Sequence, residues 1–185
     1  MVDGKTTAVP GAHCLGFSPD GAHYAYLAGH DGQLVLDGVA QPVVNSNAVP
    51  GYLFSPDSKH WVMTGYSEAK GGRRGLFVDG KLVLNDEHGG TAASRPIFTP
   101  DSQHLLWISP RRTETTDDRD SSELFVDGQD THIRFVGFYA SVRGDWEMSA
   151  DGTLSFIVRT GDAVKRYRVT PPADTSVATM LAHAS

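Results

Sequence analysis

The string FSPDG, at Phe17 to Gly21, returns as FSPDS from Phe54, as FTPDS from Phe98 and, altered, as MSADG from Met148. No other feature limits the fold as strongly. The copies begin at residues 17, 54, 98 and 148, spaced by 37, 44 and 50 residues. Self-similarity at such a period belongs to arrays, in which each unit buries its apolar surface only against its neighbours. A second string keeps step with the first. LDG ends at Gly38 and FVDG at Gly80 and Gly128, while VDG opens the chain at Val2.

Both strings carry turn chemistry. Ser18, Pro19, Asp20 and Gly21 fit the four positions of a type I turn: serine accepts a local hydrogen bond, proline fixes φ, and aspartate and glycine are tolerated after it. Asp-Gly between two β-type runs signals a two-residue hairpin with positive φ at both positions. After each first turn comes a nearly unbroken apolar run: YAYLA from Tyr24, WVMT from Trp61, LLWI from Leu105 and LSFIV from Leu154. Strands covered on both faces read that way, so each run is expected inside packed sheets, with Phe17 and its counterparts placing a ring between neighbours. Runs such as QLVLD, GLFVD and ELFVD precede the DG pairs, and PVVN, KLVLN and HIRFV follow them. Only Ser176 to Ala184 hints at a helical period.

Each repeat is therefore four strands, and antiparallel four-stranded units at this period are the blades of a β-propeller. FSPDG, FSPDS and FTPDS, with the apolar strands after them, resemble the TolB-type branch of WD-like propeller repeats over about residues 12 to 170. The fourth copy departs from that pattern, with Met148 for phenylalanine and Ala150 for proline. The resemblance implies a scaffold for binding protein or ligand and no particular chemistry.

The expected fold is all-β, a β-propeller of four four-stranded blades in one domain at residues 1–172, with a tail at 173–185 that carries a short helix. The repeats fall at about 11–48, 49–90, 91–140 and 141–172. The last repeat supplies three strands (WEMS, LSFIV and KRYRV), so residues 5–10, which hold TTAVP, are expected to add the fourth and close the ring. Closure would hide edges that otherwise invite pairing between chains. The alternative is part of a larger propeller, or one completed by another chain.

Composition bounds the function. Net charge is −6, from 22 acidic against 16 basic residues, which argues against nucleic acid as a partner. No apolar run approaches the roughly 20 residues of a membrane helix, so no membrane is expected as a partner. The first residues lack a signal peptide, which points to the cytoplasm, or to the periplasm if a leader precedes them. Cys14 is the lone cysteine, so neither an internal disulfide nor a thiolate zinc site is available.

Repetition also filters candidate sites. Asp20, Asp57, Asp101 and Asp151 each belong to their own turn, and His23, His60 and His104 to one equivalent position, so all are read as architecture. No nucleophile elbow, zincin motif, P-loop or dinucleotide fingerprint is present, and no cofactor, metal site or catalytic residue is expected. The departures from the repeat are more informative. Between the second and third strands, blade one has the tight AGHDG. Blades two and three have GYSEAKGGRRG from Gly65 and SPRRTETTDDRDSS from Ser109, and NDEHGGTAASRP from Asn85 lies between them. Insertions gathered on one face of a repeat protein often mark its binding face. The candidate contact residues are Tyr66, Arg73, Arg74, His88, Arg95, Arg111 and Arg112. They suit a protein or a small anionic ligand, because guanidinium forks grip carboxylate or phosphate at two points. The expected function is a soluble, non-catalytic binding module, as a monomer or as a homo-oligomer sharing the ring. The alternatives are a metal-dependent, lactonase-like hydrolase and a detached propeller gating a separate hydrolase.

Overall fold

The structure, a computed structural model, describes residues 11–44, 52–67, 73–85, 96–111, 121–136, 146–160 and 163–184. Blade one holds β1 (His13–Phe17), β2 (Tyr24–Ala28), β3 (Gln33–Leu36) and β4 (Val39–Val44). Blade two holds β5 (Tyr52–Phe54), β6 (Trp61–Ser67), β7 (Arg73–Val78) and β8 (Lys81–Asn85). Blade three holds β9 (Ile97–Phe98), β10 (Leu105–Arg111), β11 (Ser121–Val126) and β12 (Gln129–Val136). Blade four holds β13 (Trp146–Met148), β14 (Leu154–Thr160) and β15 (Ala163–Val169), and a helix, α1 (Val177–His183), follows. Within each blade consecutive strands pair antiparallel, as in a propeller. Single register pairs, Val44 with Tyr66 and Val136 with Arg159, join blade one to two and three to four. No sheet of the described residues closes on itself, and residues 5–10 lie outside them.

The repeated corners take the turn the sequence demands. The amides of Gly21, Ser58, Ser102 and Gly152 donate to the carbonyls three residues back, Ser18, Ser55, Thr99 and Ser149, at 2.8–3.0 Å. The turn-closing residue has positive φ in every copy: 72° at Gly21, 64° at Ser58, 62° at Ser102 and 79° at Gly152. The hydroxyls of Ser18, Ser55 and Thr99 donate to Asp20, Asp57 and Asp101 at 2.6 Å. Each also accepts an amide, from His23, His60 and His104 respectively, at 2.9–3.0 Å. In the fourth copy Ser149 and Asp151 make the same contact without the proline. The corner survives because its hydrogen bonds use serine and aspartate, while proline only restricts φ.

Corners also link blades. The Asp20 amide donates to Ser58 Oγ and the Asp57 amide to Ser102 Oγ, each at 3.0 Å, so each corner is held by the next. At the third junction Gly152 replaces the serine, and a Cβ there would lie 3.1 Å from the Thr99 methyl.

The second string proves to be the partner of the first. Asp37, Asp79 and Asp127 have φ of 49°, 50° and 49°, followed by Gly38, Gly80 and Gly128 at 79–81°, as a type I′ hairpin requires. Each aspartate then reaches back to its blade's corner. One oxygen accepts the amide of Tyr24, Trp61 or Leu105 at 2.8–3.0 Å. The other lies 2.6–2.7 Å from Nδ1 of His23, His60 or His104. Blade four has neither residue and substitutes a hydroxyl pair, Thr153 Oγ1 to Thr170 Oγ1, at 3.0 Å.

Packing follows the alternation of strands. Each sheet has a forward face, turned to the next blade along the chain, and a backward face. Ala25, Leu27, Leu34 and Val43 of blade one meet Phe54, Trp61, Met63 and Phe77 of blade two. Val62, Leu76 and Val78 meet Phe98, Leu105 and Trp107. Leu106, Ile108, Leu124 and Val126 meet Leu154 and Phe156. Two expectations fail at the ends. Phe17 is 57% exposed, because no blade among the described residues lies against it, whereas Phe54 and Phe98 are buried. Ile157, in the run read as covered on both faces, is 51% exposed, because no blade among the described residues lies against it.

After β15 the chain returns to blades two and three. Ser176 caps α1 by accepting the Thr179 amide. The Val177 amide donates to the Gln103 carbonyl at 2.8 Å, and Lys81 Nζ donates to the Leu181 carbonyl at 3.0 Å. Met180 packs into the second junction and against Gly128. Thr175 Oγ1 donates to Asp127 Oδ2 at 2.7 Å, so the hairpin of blade three anchors the tail as well as its own histidine.

Candidate functional site

The two rims of the blades differ. Corners and Asp-Gly hairpins share one rim, where α1 also docks at blades two and three. The hairpins joining second to third strands form the other. On that hairpin rim β2 and β3 end at Ala28 opposite Gln33. The ladders of blades two and three run further, to Ser67 opposite Arg73 and Arg111 opposite Ser121.

The candidate residues are placed unevenly. Tyr66 and Arg74 are register partners across β6 and β7, so they lie side by side on the forward face of blade two. Arg73 begins β7 and Arg111 ends β10, so the strands take in residues that the sequence assigned to loops. Strand pairing can extend there because alternating ladder bonds satisfy the backbone whatever the side chains are. His88, Arg95 and Arg112 lie outside the described residues.

Among the described residues Arg74 is exposed and makes no ion pair. Arg134, on β12, shows the contrast: Nε donates to Glu123 Oε1 at 2.8 Å and Nη2 to Asp130 Oδ2 at 3.1 Å. Its charge is spent within the fold, whereas Arg74 has no such partner among the described residues. The same rim holds two buried hydroxyls without a hydrogen-bond partner among the described residues, Ser67 Oγ and Ser122 Oγ. They lie on different faces, Ser67 on the backward face of blade two and Ser122 on the forward face of blade three, and a third such atom, Trp107 Nε1, lies in the second junction.

The corner rim has the electrostatics of a saturated network. The Ser18 hydroxyl, with the Ala22 amide, holds the Asp20 carboxyl below its ordinary value. The Thr99 hydroxyl does so for Asp101 and the Ser149 hydroxyl for Asp151. At Asp57 partial burial works upward but is outweighed by the Ser55 hydroxyl and the Lys59 amide. Its hydrogen bond to Asp37 raises His23. Among the described residues no three His, Cys, Asp or Glu side chains converge to hold a metal ion. The histidine–aspartate link was missed from sequence, although a signal existed: His23, His60 and His104 occur where a later DG follows, and blade four lacks both.

No helix of the described residues is long and apolar enough to cross a membrane. No family profile matches the chain, and no curated protein sequence does. Solved structures with a similar fold include a provisionally assigned TolB from Agrobacterium tumefaciens, 12% identical, covering 86% of this chain and 58% of that one with a TM-score of 0.45. A provisionally assigned 6-phosphogluconolactonase from Bacteroides uniformis is 19% identical over 71% of this chain and 42% of its own, with a TM-score of 0.37. A eukaryotic initiation factor is 13% identical over 91% and 55%, with a TM-score of 0.35. The chain spans about half the length of these structures. Likeness at this level says nothing of activity.

Proposed function

We propose that this chain is a non-catalytic binding module that holds an anionic or carbonyl-rich group on the hairpin rim of blades two and three. The carrying observation is Arg74: an exposed guanidinium with no ion pair among the described residues, placed beside Tyr66 on an extended ladder. In a protein of net charge −6, a cation without an ion pair among the described residues suits an acidic partner, and tyrosine beside it adds an aromatic surface with a polar tip. Arg73, Arg111 and Arg112 belong to the same two insertions, with His88 and Arg95 in the segment between them, and we assign all five to the same surface.

The test uses two probes, poly-L-glutamate and inorganic phosphate, measured by calorimetry at low and raised salt. Wild type is expected to bind at least one, more weakly as salt rises. Arg73→Ala/Arg74→Ala/Arg111→Ala/Arg112→Ala is expected to fold with a nearly unchanged thermal midpoint and to lose that binding. A quadruple variant that binds like wild type, or a wild type that binds neither probe, contradicts the assignment.

The fourth strand of blade four belongs to the same account. We assign it to residues 5–10 of an adjoining copy, the completion by another chain that the repeats allow, since no strand among the described residues pairs with the outer edge of β15. Removing residues 1–10 is then expected to destabilise or aggregate the protein by exposing that edge, and unchanged stability and monodispersity overturn the assignment.

A further inference from the structure

The two ends of the blade row carry faces of different chemistry. Register fixes the comparison. On the forward faces, Ala25 pairs with Leu36 and Leu27 with Leu34 in blade one. Val62 and Val78, with Thr64 and Leu76, take these positions in blade two, and Leu106 and Val126, with Ile108 and Leu124, in blade three. All but Leu36, itself packed against the core, are buried. In blade four the same pairs are Ser155 with Arg168 and Ile157 with Arg166, and both arginines are exposed. This face bounds an open groove of about 660 Å³ and carries Glu147 opposite Ser155.

The backward face of blade one is the complement. Its Phe17, Tyr24 and Tyr26 stand where blade two has the buried Phe54, Trp61 and Met63. Phe17 is 57% exposed, and the rings of Tyr24 and Tyr26 stack at 6.4 Å. At Gly21, the equivalent of Ser58 and Ser102, a Cβ would meet nothing within 4 Å, so the corner is open on the side where a preceding blade would stand.

We propose that the backward face of blade one packs on the forward face of blade four of a second copy, so that chains associate head to tail. Every internal junction is already of this kind, a forward face receiving an aromatic-bearing backward face. The end faces continue it with altered chemistry. Arginine at the socket positions lays its aliphatic stem along Phe17 and its guanidinium plane over Tyr24 or Tyr26, a contact tyrosine and arginine make at interfaces. Leucine there would leave an apolar patch on the free chain, whereas arginine keeps the unassembled end soluble. The missing corner serine has a precedent in the third junction, which also lacks it. Because the two faces differ, the contact is heterologous, and it closes a ring if the rotation between copies allows.

The test is solution mass by sedimentation across a concentration series, for wild type, Phe17→Asp and Arg166→Glu/Arg168→Glu. All three substituted side chains are exposed, so both variants are expected to keep the wild-type circular dichroism and thermal transition of the isolated chain. Wild type is expected to assemble, and each variant to weaken assembly on the order of 100-fold, as loss of an interface anchor does. A wild type that stays monomeric throughout overturns the proposal. So does an assembly that neither variant affects, or one that only a single variant affects, since that means a face pairing with itself. Mass does not depend on the hairpin-rim arginines, so this result and that of the binding test stand apart.

Discussion

The corner rim and the hairpin rim are built from the same strands and obey opposite rules. On the corner rim side chains recur from blade to blade, and the same pairings recur with them: serine or threonine to aspartate, amide to hydroxyl, histidine to the aspartate of its blade's hairpin. On the hairpin rim ladder lengths differ, an arginine stands without an ion pair among the described residues, and two buried hydroxyls lack partners there. Repetition is what a junction between blades requires, because every junction solves the same packing problem. Variation appears beyond the packed junctions, where the single pairs Val44–Tyr66 and Val136–Arg159 join neighbouring blades.

The largest effect that can break this contrast comes from the junction aromatics. Phe54→Ala is expected to cost about 3–5 kcal/mol in denaturant unfolding, as a buried aromatic lost from the first junction. Phe17→Ala, at the equivalent but exposed position, is expected to cost a small fraction of that in the isolated chain. Equal losses at the two sites mean that blade one is covered after all.

Next come the hairpin aspartates. Asp127 is buried and accepts from the Leu105 amide, from His104 and from Thr175, so Asp127→Ala strands several donors and is expected to cost about 1–3 kcal/mol. Asp37→Ala, at an exposed equivalent, is expected to cost less. Reversal of that order contradicts the account of α1 as anchored through Asp127.

Acid gives a smaller, collective effect. Asp57 and Asp101 have carboxyls lowered by their turns, so their contribution is present above the ordinary carboxylate range and is lost as pH falls through the lowered folded values. His23, raised by Asp37, has the opposite sign: its contribution is present below the ordinary imidazole value and fades as pH rises through the raised one. Thermal midpoints are therefore expected to fall below the carboxylate range, and Asp57→Asn to flatten that fall. A midpoint insensitive to acid contradicts the role given to the corners. The smallest effect is expected from Arg74→Ala, within about 0.5 kcal/mol of wild type because the side chain is exposed and has no ion pair among the described residues.

Much of the fold was legible because turns are local. The type I corners and type I′ hairpins depend on residues within four positions, so Pro19, Asp20, Gly38 and their copies suffice to place them. Even the three-strand last blade follows, since Thr170 and Pro171 stand where an Asp-Gly hairpin is needed. The histidine–aspartate link spans 14 to 23 residues and shows only when two repeats are read against each other. The end faces were hidden by the apolar look of LSFIV, in which Ser155 and Ile157 share a face that only the alternation in KRYRV exposes as cationic. The docking of α1 left no trace, because its contacts with Gln103, Lys81 and Gly128 join positions with no pattern in common. Of the candidate residues, the sequence placed Tyr66 and Arg74 beside a hairpin but not inside strands, because pairing into the hairpins depends on the partner strand.

Amide hydrogen exchange, resolved by residue on the wild-type protein, tests the contrast between rims most directly. The account predicts that the Asp57, His60, Trp61 and Leu105 amides, bonded to Ser102, Ser55, Asp79 and Asp127, exchange only through global unfolding. Amides of Tyr66 and Arg74 are predicted to exchange earlier, through local opening of the hairpin rim. Corner amides that exchange as fast as those of Tyr66 and Arg74 would contradict it.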